Sequence, residues 1–213
     1  MRCSLTNKII TRLSIAAGMM IGIGATVKLS CNNPIIGTFL FSVGLFYICS
    51  QGMYLFTGKI GYINKNNVKT YPLIWLYNFI GVAIICLPIR IVNPSLHIAA
   101  MNLLEPKMIF PWYRIAIMSF YCGIVMYLAV DTSNKFISGS IKTFSIVIGV
   151  AVFILSGYEH SIANMAYAIF FITYNSIWFC LKLIIISTLF NGIGSIFIRY
   201  LMKGNLKINV ESN

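Results

Sequence analysis

An all-α membrane protein of six passes is the fold class this sequence predicts, and three observations predict it. Of its 213 residues 59% are hydrophobic and only 9% are charged, where a soluble domain carries about a quarter charged residues. Mean hydropathy is +0.86. Stretches free of Asp, Glu, Lys and Arg recur along the chain, and about 20 apolar residues in a helix cross a bilayer core of about 30 Å. The net charge of +12 does not point to nucleic acid. The cations sit between apolar segments rather than along one face, as the positive-inside rule arranges them.

The elements follow in order. The run 13–27 borrows flanking residues for a first pass over 8–28. No recognisable cleavage site follows it, so it reads as a span rather than a signal peptide, with the chain beginning almost at that span. The run 29–58 passes from Pro34 into the polar, Gly-rich "CSQGMYLFTGKIG", which predicts a second pass, 34–63, broken by an unwound loop. Runs 70–89 and 115–130 give passes over 70–92 and 109–130. Runs 143–158 and 161–181 are interrupted by "YEH", and predict one pass over 141–174 broken at its centre. The last run, 183–198, gives a pass over 176–201.

With both termini inside, eleven Lys and Arg side chains from Arg2 to Lys207 fall on the inner side. Five fall outside: Lys28, Arg90, Lys107, Arg114 and Lys182. That bias predicts a multi-pass protein of the cytoplasmic membrane with both termini cytoplasmic. The six cysteines are scattered, without a CxxC pair or Cys/His cluster. They read as small apolar residues, and no metal or cofactor is expected.

The two broken passes invite comparison. "LFTGK" (55–59) and "LSGYEH" (155–160) each contain a hydroxyl followed by glycine. Three passes separate them, which predicts inverted repeats of roughly 8–92 and 109–201 within one domain spanning 1–213. A discontinuous helix in each half is a transporter or channel signature, because backbone freed at such depth must be buried in protein or line water.

"GYEHSIANM" (157–165) closely resembles the signature of the formate–nitrite transporter family. "FSVGLFYICSQGMYLFTGK" (41–59) resembles its second helix and loop, "NFIG" (78–81) its third-helix element, and "TLFNGIG" (188–194) its sixth-helix stretch. The resemblance covers nearly the whole chain in the right order. It implies an aquaporin-like six-helix protomer in a homopentamer, each subunit conducting a small weak-acid anion such as formate, nitrite or hydrosulfide.

His160 is the central residue. A charge at bilayer depth costs at least ~2.5 kcal/mol, so an intramembrane imidazole reads as functional. Its unperturbed pKa of about 6.5 suits exchange with a weak acid. By the resemblance it faces the pore and donates a hydrogen bond or a proton to the anion. The neighbouring Glu159 points about 100° away on a helix, and reads as a structural acceptor for backbone exposed at the break. Asn164, four residues beyond His160, lies on nearly the same helical face, where it orients the ring or caps free carbonyls.

The resemblance adds Lys107 as a vestibule cation that concentrates anions, with Glu105 near enough to offset it. It adds Thr57 as a second hydrogen-bonding partner of the anion. Phe41, Leu45, Leu55, Phe56 and Phe153 occupy the constriction positions, where apolar slits exclude hydrated ions. Asn191 reads as a tie between helices.

Three features depart from the family pattern. The family's longer N-terminal segment is not matched. Lys59 stands where asparagine is usual and is expected to be an ordinary inside charge. Gly123 also stands where many members have asparagine, which predicts one interhelical hydrogen bond fewer. One histidine serves passive flux and obligatory proton–anion symport alike. An intramembrane hydrolase using Ser156 or Ser161 with His160 and Glu159 is the remote alternative, because a triad needs a base that reaches its nucleophile.

Overall fold

The computed structural model describes residues 2–135 and 138–203, except the side chains of residues 2–6 and Tyr174. Arg2 and Lys207, two of the inner cations counted above, and Cys3 therefore lie outside the described side chains. Nine α-helices run in the order α1 (Arg2–Ser30), α2 (Pro34–Ser50), α3 (Phe56–Lys59), α4 (Thr70–Val92), α5 (Ser95–Leu104), α6 (Trp112–Lys135), α7 (Gly139–Leu155), α8 (Ser161–Phe171) and α9 (Ile177–Met202) among the described residues. Four stretches are long and apolar enough to cross a membrane: Asn7–Ser30 within α1, α4, α6 and α9. The apolar helices α2, α7 and α8 are shorter, because the chain is interrupted at 51–55 and 156–160.

Both interruptions have a local cause. α2 starts on Asn33, whose Oδ1 accepts from the N–H groups of Ile35 (2.9 Å) and Ile36 (3.2 Å), with Pro34 in the first turn. Such a cap satisfies donors the helix leaves free. α2 then ends at Gly52 (φ 62) and α7 ends at Gly157 (φ 68), a left-handed conformation that glycine adopts without steric cost. After each glycine an amide turns back to a carbonyl five residues earlier. Met53 N–H reaches Ile48 O and Tyr158 N–H reaches Phe153 O, both at 2.9 Å. This is the Schellman closure that stops a helix.

The structure thus pairs the breaks in a register that differs from the sequence comparison. Thr57-Gly58 was matched with Ser156-Gly157, but the corresponding glycines are Gly52 and Gly157. The matching element is a backbone turn, and a hydroxyl-glycine dipeptide does not specify it. In that register α3 and α8 start at equivalent places, on Leu55 and His160.

A helix also appears where only a loop was expected. α5 lies between α4 and α6 and packs against α8. Every residue of α8 is buried, among α1, α4, α5 and α9. Gly123 has a packing role: a Cβ there would collide with the backbone carbonyl of Asn191 in α9. The backbone carbonyl of Gly123 still takes part in an interhelical hydrogen bond, accepting from Ser195 Oγ at 2.9 Å.

Candidate functional site

α8 begins at depth because His160 caps it. The N–H of Ala163 donates to His160 Nδ1 at 3.1 Å, taking the place a Ser or Asp oxygen usually fills at a helix start. A ring nitrogen that accepts carries no proton, so the neutral ring holds its hydrogen on Nε2. Nε2–H then donates to Thr57 Oγ1 at 2.8 Å, from one broken helix to the other. His160 is 2% and Thr57 0% exposed.

Aromatic rings close one side of this pair. The Phe153 centroid lies 5.3 Å from that of His160, and Phe41 meets Phe153 edge-on at 5.8 Å. Leu55 borders a crevice of about 20 Å³ that is also lined by Gly58, Lys59 and Val130. Leu45 and Phe56 are buried members of the same core cluster. A second cavity, of about 660 Å³, is lined by Tyr54, Lys59, Tyr62, Tyr71, Asp131 and Lys135 among others. Lys59 borders both spaces, with its ammonium 5.4 Å from the centroid of the Tyr54 ring. Asp131 in the cavity wall pairs with Lys135 at 2.6 Å and accepts from Tyr62 at 2.5 Å.

Glu159 and Asn164 depart from expectation. The Glu159 carboxylate accepts from Lys107 Nζ at 2.8 Å and from Asn164 Nδ2 at 3.1 Å. Its partners are side chains, and backbone is served by another residue. Asn164 holds Glu159, neither touching the ring nor capping a carbonyl. The partner of Lys107 is Glu159 rather than the nearby Glu105, because the 3₁₀ turn Glu105–Lys107 brings that ammonium to the second break.

Asn191 serves the backbone. Its Oδ1 accepts from Ser161 N–H at 2.9 Å, and its Nδ2 donates to Ser119 O (2.7 Å) and Glu159 O (2.8 Å). The counterpart missed as a site residue is Asn78, whose Oδ1 accepts from Phe56 N–H and whose Nδ2 donates to Ser14 O and Tyr54 O, each at 2.8 Å. The quoted "NFIG" contained the signal. Its use as a tie needed the partner backbone. Ser161 Oγ is also buried and has no hydrogen-bond partner among the described residues.

The geometry does not assemble a hydrolase. Nε2 carries the ring hydrogen and cannot take one from Thr57, Nδ1 is occupied by a backbone N–H, and Glu159 is bonded elsewhere. Ser156 is exposed at the end of α7. Among the described residues no group of three His, Cys, Asp or Glu side chains can hold a metal ion. What the arrangement offers is two polar hydrogens, Nε2–H and the rotatable Thr57 O–H, among apolar side chains. An anion with lone pairs can replace the bond between them.

A model described as formate/nitrite transporter matches residues 2–205. Among solved structures, an "FNT family ion channel" is similar with a TM-score of 0.81 and 22% identity, covering 96% of this chain and 93% of that one. A "Pentameric formate channel with formate bound" is similar with a TM-score of 0.74 and 21% identity, covering 96% of this chain and 97% of that one. Both likenesses show the fold. No curated protein matches the chain.

Proposed function

The chain belongs to the formate/nitrite transporter family, matched over residues 2–205, and on that premise we propose that it conducts a small monovalent weak-acid anion through each protomer. Formate is the first candidate, with nitrite and hydrosulfide next. The observation that carries this reading is the Nε2–Thr57 hydrogen bond at 2.8 Å joining the two broken helices. In water an anion is held by hydrogen bonds, and a passage between apolar rings removes them. His160 and Thr57 replace two of those bonds at the narrowest stage, with Phe41 and Phe153 on one side and Leu55, Phe56 and Leu45 on the other. Family membership makes this a transport protein rather than an enzyme.

His160 acts as a hydrogen-bond donor in this reading. Protonating the ring needs a hydrogen on Nδ1, where the Ala163 N–H now points, and so removes the cap of α8. Obligatory symport through a cycling imidazolium asks for that loss in every turnover. Passive conduction with a neutral ring does not.

The protein is an integral membrane protein in this family. Its arrangement as a homopentamer is supported by likeness to a pentameric formate channel. The cation bias supports placement in the cytoplasmic membrane with both termini inside, and the matching breaks support inverted repeats of about 8–92 and 109–201.

Flux into proteoliposomes tests the proposal, with formate, nitrite, hydrosulfide and chloride compared between about pH 5 and pH 8, the range an imidazole spans. Weak-acid flux that exceeds chloride flux and falls in His160→Ala supports it. Empty-vesicle rates from folded wild-type protein overturn it.

A further inference from the structure

The cation that closes α1 takes no part in the site described so far. Lys28 lies in the last turn of α1 and is partly buried. Its Nζ sits 5.1 Å from the centroid of the Tyr167 ring in α8. One turn earlier, Gly24 packs against the backbone of Phe41. Four residues of helix rise about 6 Å, so Lys28 stands just beyond the level of that constriction residue. The charges that act on it are Lys107 and Glu159, and those two are bonded to each other at 2.8 Å. Their charges cancel. Among the described residues no carboxylate lies within ion-pair distance of Lys28, which leaves it as the net positive charge of the cluster.

Tyr167 supplies an independent observation. The residue is 5% exposed, and among the described residues its hydroxyl has no hydrogen-bond partner. Buried phenols ordinarily find one. The ammonium covers the ring that carries this O–H, and both groups are short of an acceptor.

Resting on the anion-conducting reading, we propose that Lys28 and Tyr167 form a second anion-binding station beyond the Phe41–Phe153 pair, occupied before the anion reaches His160. It takes the same class of small monovalent weak-acid anions. The ammonium supplies a point charge, and the phenol supplies one directional hydrogen. Between occupancies the ring face holds the ammonium by cation–π attraction. Lys107, tied to Glu159, has the architectural part and Lys28 the electrostatic one.

Formate uptake against concentration on the Lys28 side tests the station. Lys28→Gln and Tyr167→Phe each raise the half-saturating concentration about fivefold, the scale of one partly hydrated ion contact. Flux at saturation stays within about twofold of wild type, because the His160–Thr57 stage is untouched. Lys28→Arg keeps the wild-type value. Unchanged half-saturation in both Lys28→Gln and Tyr167→Phe overturns the inference and leaves the channel reading standing. Absence of weak-acid flux in the wild type overturns the channel reading itself. If Lys28→Gln does not assemble, Tyr167→Phe decides alone, since it removes a single oxygen.

Discussion

Asn78 and Asn191 make the same three hydrogen bonds. Each accepts from the first amide of a half-helix and donates twice, once to a serine carbonyl in the neighbouring long helix and once to the carbonyl two residues before that amide. The two side chains hold open backbone that a helix break leaves without partners, which is obligatory where water is excluded. Asn191→Ala removes three buried bonds and is expected to destabilise the protein by about 3 kcal/mol or more. Thermal unfolding of the detergent-solubilised protein checks this, and Asn78→Ala should lower the midpoint by a similar amount.

His160 has two duties that mutation can separate. Asparagine is a good N-cap, so His160→Asn keeps the start of α8 and loses the Nε2 hydrogen. Its melting temperature should stay near wild type while formate flux falls at least about tenfold, the value of one hydrogen bond to a charged group. His160→Ala loses both duties and costs about 1 kcal/mol of stability in addition. Equal melting temperatures for the two variants would contradict the capping role.

Thr57 is expected to matter through its hydroxyl alone. Thr57→Ser retains flux, and Thr57→Val, which fills nearly the same volume without a donor, lowers it about tenfold. Proteoliposome uptake distinguishes them.

The Lys107–Glu159 pair should respond asymmetrically. The Lys107 side chain is 16% and the Glu159 side chain 4% exposed, so the carboxylate is the costlier charge to leave alone. Lys107→Gln is expected to destabilise by about 3 kcal/mol, Glu159→Gln by less, and the double variant to recover much of the loss. A double-mutant cycle on unfolding midpoints measures this.

Gly123→Ala forces a methyl against the Asn191 carbonyl and should cost about 3 kcal/mol, the upper end for overpacking. Gly139→Ala, where a Cβ meets nothing within 4 Å among the described residues, is the control and should leave assembly intact. Size-exclusion profiles of the two separate the cases.

Much of this was readable from the chain. The passes built on charge-free runs overlap the four long helices, their ends differing by up to six residues (8–28 against Arg2–Ser30), and "GYEHSIANM" contains the second break. Other features depend on contacts that sequence spacing does not encode. The helix Ser95–Leu104 is too short to announce itself as a span, yet it is held by burial of Leu96, Ala100 and Leu104. Glu159 and Lys107 are 52 residues apart, and only the turn at Glu105–Lys107 brings them together. Asn164 shares a face with His160 by periodicity, but its amide is taken by the nearer carboxylate. Gly123 read as a missing asparagine because a close helix crossing leaves no local mark.

Leu55 and His160 occupy equivalent starts of their half-helices. One start carries an aliphatic side chain and the other an imidazole, so two similar breaks present a single titratable ring. On the proposed anion path, a replacement at position 55 would alter the apolar wall while leaving the imidazole and the cap it gives α8 in place.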